Sequence, residues 1–317
     1  AKDKNPAYKY HAFISDYKPF PDGDNQPIPY EDVETIEKFR NVFSISRKLG
    51  QSGTSWVIPF PKHRQEEKEL VTAVIKFYFY SILRERLTVK IGETSINKDT
   101  ISKLARKYLP SEDADFYEFI KEAVDISTEY RRVTVRNASW AKKATFPADL
   151  INDEKTEKIK NDLSKGEIVY IRLPITLKPA DSKNKINTYF DVYLKSDKSI
   201  KETREAFIRS DLFIAKEKKF DNMPGKLYCL VVAEHEDVAS FLADAEEPNH
   251  LLFNAEKQLV TEHYKDVSKT LRAIRMGAVR VYNHLTQRES ETAEDLFLGL
   301  ISFPSSRKKK KKKKKKT

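Results

Sequence analysis

The feature that most constrains this chain is a β-rich middle framed on both sides by helical patterns. Residues 167–177 and 187–194 flank a polar turn at 179–185 and read as a hairpin. Residues 212–215 and 226–233 flank Asp221, Asn222, Met223, Pro224 and Gly225 in the same way and read as a second hairpin. Upstream, helical spacing of apolar residues predicts helices over 32–43, 66–83, 98–108, 112–126 and 147–163, with short strands at 54–60, 87–91 and 131–136. Residues 1–30, punctuated by Pro19, Pro21, Gly23, Pro27 and Pro29, read as a surface segment. Downstream lie a short helix through 242, a long one over 254–286 and a last one near 293–301. Strand groups separated by helices imply an α+β fold rather than a doubly wound sheet. The expected architecture is mixed or antiparallel hairpins with packed helices and a long C-terminal helix.

The formal net charge of +11 is misleading. Arg307 and the nine lysines 308–316 supply ten of those charges, which leaves 11 − 10 = +1 for residues 1–306. The body therefore carries no general attraction for nucleic acid; only the tail is basic. A run of like charges repels itself and has nothing apolar to bury, so the tail is expected to be disordered. Two readings stay open for it, an arm that binds nucleic-acid phosphates by counterion release and an appended segment without function. The single cysteine, Cys229, excludes an intrachain disulfide and fits a reducing, cytoplasmic setting. It sits in an apolar strand as a small core residue. No apolar run approaches the roughly 18 residues of a membrane span, and no signal peptide is present. The chain opens on Ala1, Lys2, Asp3 and Lys4 without an initiator methionine, as a downstream piece of a longer polypeptide would.

Catalytic patterns are missing. There is no P-loop, no G-x-G-x-x-G after a strand and no G-x-S-x-G elbow, and eight glycines leave few phosphate-cradling loops. No pair of the six histidines has H-E-x-x-H spacing, although His235, His250 and His263 could converge in space. Residues 131–136 with Trp140 could form a basic and aromatic nucleic-acid face, but read more simply as a half-buried strand.

One segment is more specific. Gly50, Gln51, Ser52, Gly53 and Thr54 form a short flexible loop that leads into the apolar run Trp56, Val57 and Ile58. Glycine lets backbone approach a nucleotide, and a threonine hydroxyl on a rigid strand can hydrogen-bond adenine or a water beside it. This stretch resembles the last element of the Bergerat ATP pocket of the GHKL group, which includes gyrase B, the heat-shock-90 chaperones, histidine kinases and MutL. The likeness extends over about 30–285 to the downstream part of a group of large bacterial proteins with such a domain. It is carried by residues 43–47, 53–60, the apolar helix 71–83, the strand start 87–89, residues 209–214 and residues 245–250.

The resemblance implies ATP and Mg2+ as cofactors, Gly53 and Thr54 at the nucleotide, and a basic residue sent back to the γ-phosphate. Lys62, Arg84, Arg86 and Arg209 are candidates, with Arg209 the one carried by a matching motif. It further implies a part in bacterial anti-phage defence. The magnesium-holding asparagine, the acid that activates water and the D-x-G aspartate are not found upstream of Gly53. Asp22, Gly23 and Asp24 imitate D-x-G but lie among prolines and read as a turn. On this view residues 1–62 end a nucleotide-pocket-like region and 63–165 form a helical, transducer-like region. Residues 166–303 form an α+β domain, and 304–317 the tail. The chain itself is then non-catalytic and couples nucleotide state to a partner or to dimerisation. The alternatives are a nucleotide-independent interaction module, dimerising or docking through the helix 254–286, and nucleic-acid binding through Arg307 to Lys316. No membrane partner is expected.

Overall fold

The computed structural model describes residues 16–19, 25–28, 31–45, 48, 50, 66–126, 132–143, 146–147, 150–217 and 226–286. The expected strand at 54–60, with Gly53 and Thr54, the turn at Asp22, the helix near 293–301 and the basic tail all lie outside them. The chain divides into two compact units, residues 1–64 and 65–317.

In the first unit β1 (Asp16–Pro19) and β2 (Asn25–Ile28) pair antiparallel, with Asp16 opposite Ile28. Helix α1 (Val33–Val42) starts at Asp32, whose carboxylate accepts the Thr35 N–H at 2.7 Å and satisfies an otherwise orphan donor. None of its residues is buried, and the Phe39 and Phe43 rings meet at a tilt, with centroids 4.7 Å apart.

The second unit is built on a six-stranded sheet in the order β5-β6-β7-β10-β8-β9. The strands are β5 (Arg132–Thr134), β6 (Val169–Leu177), β7 (Ile186–Ser196), β8 (Arg204–Arg209), β9 (Leu212–Phe213) and β10 (Leu227–Ala233). A small hairpin of β3 (Val89–Ile91) and β4 (Thr94–Ile96) stands apart. The fold is α+β with mixed pairing: β6–β7, β7–β10 and β8–β9 are antiparallel, while β5–β6 and β8–β10 are parallel.

Helices cover both faces of this sheet. On one face α5 (Asp153–Ser164), α6 (Glu236–Ala245), α7 (Gln258–His263) and α8 (Val267–Leu285) close a core with Phe190, Val192, Leu194, Cys229 and Val231. On the other, α2 (Glu67–Leu83), α3 (Ile101–Tyr108) and α4 (Ser111–Asp125) close a second core with Ile208, Tyr228, Leu230 and Val232. β10 feeds both cores through alternate residues, so all seven of its residues are buried and the strand reads as one apolar run.

The first expected hairpin forms as β6–β7. The second does not: β9 pairs with β8, a strand absent from the sequence reading, and β10 pairs with β7 and β8. Charged residues at 204, 205 and 209 bracket β8 and mask its buried centre Ala206, Phe207 and Ile208. The long helix over 254–286 is two helices, α7 and α8, separated at Tyr264–Asp266, where Asp266 has φ 56°. Eleven residues of α8 are buried, so its apolar face packs on the sheet and is not free to dimerise or dock a partner. Its approach is close at Gly277, where a Cβ would lie 2.7 Å from Phe190 Cζ and 3.0 Å from Leu173 Cδ1. Among the described residues no helix is long and apolar enough to cross a membrane.

Candidate functional site

Strands β6, β8 and β10 run in one direction, and at their C-terminal edge the turn from β8 to β9 gathers charge from both faces of the sheet. Alternation along β8 puts Phe207 on the α6–α8 side and Ile208 on the α2 side. Arg209 therefore ends the strand on the α6–α8 side. Ser210 takes φ 53° and donates its N–H to Ala233 O at 3.0 Å, which turns the chain so that Asp211 emerges toward α2.

On the α6–α8 side, Arg209 Nε donates to the Glu246 carboxylate, which also hydrogen-bonds His250 Nδ1. Glu246 follows the last turn of α6, and its side chain is only 4% exposed, against 15% for Arg209. The Lys257 ammonium closes the loop by donating to Glu246 O. The two segments that carried the resemblance here, 209–214 and 245–250, thus meet in space.

On the α2 side, Ser81 Oγ donates to Asp211 O at 2.9 Å and docks the last turn of α2 on the same turn. Glu85 then takes φ 58° and reverses the chain, bringing Arg86 back to the sheet. Arg86 bridges Asp211 at 2.7 Å and Glu234 at 2.5 Å, while Arg84 lies 3.6 Å from Glu234. Asp211 and then Glu234 hold the Arg86 guanidinium still more firmly protonated. Burial, and then the charge of Glu234, raise the Tyr80 hydroxyl above its usual range. Of the four expected cations, Arg84 and Arg86 share Glu234 on the α2 side, while Arg209 ends β8 on the opposite face with Glu246; Lys62 lies outside the described residues. Arg84 and Arg86 are half-exposed, at 37% and 41%, whereas Arg209 is enclosed.

Two further ion pairs were not legible in the sequence. Arg172 on β6 is bidentate to Asp191 on β7 at 2.8 Å and lies 3.6 Å over the Tyr189 ring; Tyr170 OH donates to the same carboxylate. Arg275 of α8 donates to the buried Glu217 carboxylate, Nε to Oε2 at 2.7 Å, and Glu217 Oε1 accepts the Phe253 N–H. The one signal available was an arginine at 275 in the apolar stripe Leu271, Ile274 and Ala278, which demands a buried acid without saying which.

The remaining expected residues take ordinary roles. His235 contacts Thr188 and Asp237, and His263 contacts Asp244. His235, His250 and His263 have separate partners, and among the described residues no three His, Cys, Asp or Glu side chains group as metal ligands. Trp140 is fully buried and donates Nε1–H to Pro174 O at 2.7 Å, so it cannot serve as an exposed stacking platform beside Arg132 and Arg136. Cys229 is buried, and burial, then the charge of Glu205, pushes its thiol well above the usual range, away from nucleophilic use. An open hollow of about 290 Å³ between α7 and α8, lined by Tyr264, Asp266 and Lys269 among others, lies at the small end of ligand-pocket sizes. Comparison with protein-family models, curated proteins and solved structures gave no significant match.

Proposed function

We propose that this chain is the non-catalytic, post-pocket part of a GHKL-type ATP-binding protein that couples nucleotide state to a partner or to dimerisation. The observation that supports this reading is the pair Arg84 and Arg86, held by Glu234 and Asp211 at the ends of β10 and β8, with Arg209 held by Glu246 on the opposite face. A guanidinium fits phosphate oxygens bidentately, so a terminal phosphate can take an arginine from Glu234 or Asp211. The carboxylate so released loses its partner at the junction of α2 with the sheet, and that is the coupling event.

Energetics rank the arginines. Half-exposed pairs contribute about 0–1 kcal/mol, so Arg84 and Arg86 exchange partners readily. Breaking an enclosed pair by losing one partner costs about 3–5 kcal/mol, which keeps Arg209 with Glu246. Arg84 and Arg86 are therefore the phosphate contacts in this proposal, with Arg209 behind them. Magnesium, bound with ATP, would supply further phosphate neutralisation; Gly53 and Thr54, which the resemblance implies at the nucleotide, lie outside the described residues. A role in anti-phage defence belongs to the same proposal.

Calorimetric titration of the full chain with Mg2+ and ATP or ADP tests it. ATP is expected to bind at least tenfold more tightly than ADP, with no turnover, and Arg84→Ala with Arg86→Ala should erase the difference. Robust ATP hydrolysis by the chain, or an ATP preference that the double variant leaves intact, overturns the reading. A folded chain that binds neither nucleotide supports the nucleotide-independent interaction module instead.

A further inference from the structure

Helix α2 carries an unused surface. Of the four large apolar residues exposed in the second unit's described residues, Leu70, Phe77 and Tyr78 lie on α2; the fourth is Leu259. Leu70, Ala73 and Phe77 follow helical spacing and make one exposed stripe, with Tyr78 beside it and Val74 partly packed on the core. The opposite side of the helix, Val71, Ile75, Phe79 and Ile82, is buried in the core. The stripe is therefore a second apolar face on a helix whose first face is already satisfied. Exposed apolar groups of this kind mark interaction sites.

The ends of the stripe carry opposite charge. Glu66 lies one turn before Leu70, in the acidic first turn with Glu67 and Glu69. Arg84 lies two turns after Phe77, its guanidinium half-exposed and loosely paired with Glu234 at 3.6 Å. A helix face that is acidic at one end, apolar in the middle and basic at the other is complementary to itself when antiparallel. We infer that α2 is the two-fold interface between two copies of this chain. With the axis at the level of Ile75, Glu66 faces the second copy's Arg84, and Phe77 faces the second copy's Ala73. Both contacts occur twice, as a two-fold axis requires. Ala73 opposite Phe77 lets the helices approach to the usual 8–10 Å or so without a clash at the crossing. Because only one helix per copy is engaged, the interface is small and the pair a weak one.

This surface gives the dimerisation named in the proposed function a location, but its test needs no nucleotide, so either idea can fail alone. Sedimentation velocity of the full chain over about 1–200 μM should show a monomer passing to a dimer in that micromolar range. Phe77→Asp is expected to weaken association at least tenfold with an unchanged far-ultraviolet circular dichroism spectrum, while Leu259→Asp leaves it unaltered. Glu66→Arg and Arg84→Glu should each weaken it, and an equimolar mixture of those two variants should associate again. A wild-type chain that stays monomeric throughout, a dimer indifferent to Phe77→Asp, or a mixture that does not recover overturns the inference.

Discussion

Arg209→Ala tests whether the enclosed ion pair is a fixed part of the fold. The variant removes the guanidinium from a carboxylate that is 4% exposed and cannot rehydrate without opening the loop after α6. Losing one partner of a buried pair costs about 3–5 kcal/mol. Here His250 remains on the other carboxylate oxygen, and its ring is mostly exposed, so it offsets a part but not the whole. The expected loss is roughly 2–3 kcal/mol, or about 4–12 °C in Tm for a unit of this size. Glu246→Gln should be milder, since Arg209 is less enclosed and can turn toward water. Removing both charges, as Arg209→Met with Glu246→Leu, should recover part of the loss, because no unpaired charge stays buried. Differential scanning calorimetry at pH 7.5 reads all four proteins. A shift below about 1 °C for Arg209→Ala, or a double variant that loses the sum of the singles, would refute the pair as drawn.

Gly277→Ala sets helix propensity against packing. The gain is about 1 kcal/mol, whereas overpacking costs about 1–3 kcal/mol. The added Cβ meets Phe190, which is fully buried beside Trp140 and has nowhere to move, so a net loss is expected in urea melts. His284 supplies a pH dependence: burial, and then the charge of Lys160, lower its pKa below 6.5, so the unfolded state binds the proton more readily. Stability should fall as pH drops below about 6.5, and His284→Gln should show a smaller Tm loss between pH 7.5 and 5.5. His263, whose pKa Asp244 raises, works in the opposite sense, favouring the folded state at acid pH and losing that contribution as pH rises through its folded value. Finally, deleting residues 307–317 removes ten of the eleven net charges, and any binding to single-stranded DNA should vanish with them; unchanged affinity in a salt titration would exclude the tail.

The helices were the most legible part of the chain. The apolar positions of α2, α4 and α5 recur at helical spacing, and Asn152 caps α5 by accepting the N–H groups of Glu154 and Lys155. The β6–β7 hairpin was equally clear, because its strands are long and joined by a polar turn. The break at Asp266 was not: a non-glycine residue with positive φ leaves no mark in a pattern that remains helical on both sides. Nor was the pairing of β10, whose all-apolar run announces burial on both faces but not its neighbours.

The candidate site divides in the same way. Arg209 and residues 245–250 stood out in the sequence as separate segments, and Arg84 and Arg86 only as two of several basic residues. Their placement about the end of β8 depends on Asp211, which meets Arg86 across 125 residues on one face, and on Glu246, which meets Arg209 across 37 on the other. By itself the sequence determined most of the helices, the β6–β7 hairpin and that the body is nearly neutral, because periodicity and composition act locally. Strand order, the partner of each charged group and the apolar stripe left open on α2 were decided by the tertiary structure. Those depend on which distant segments meet, and burying one face of a helix or strand specifies no particular partner.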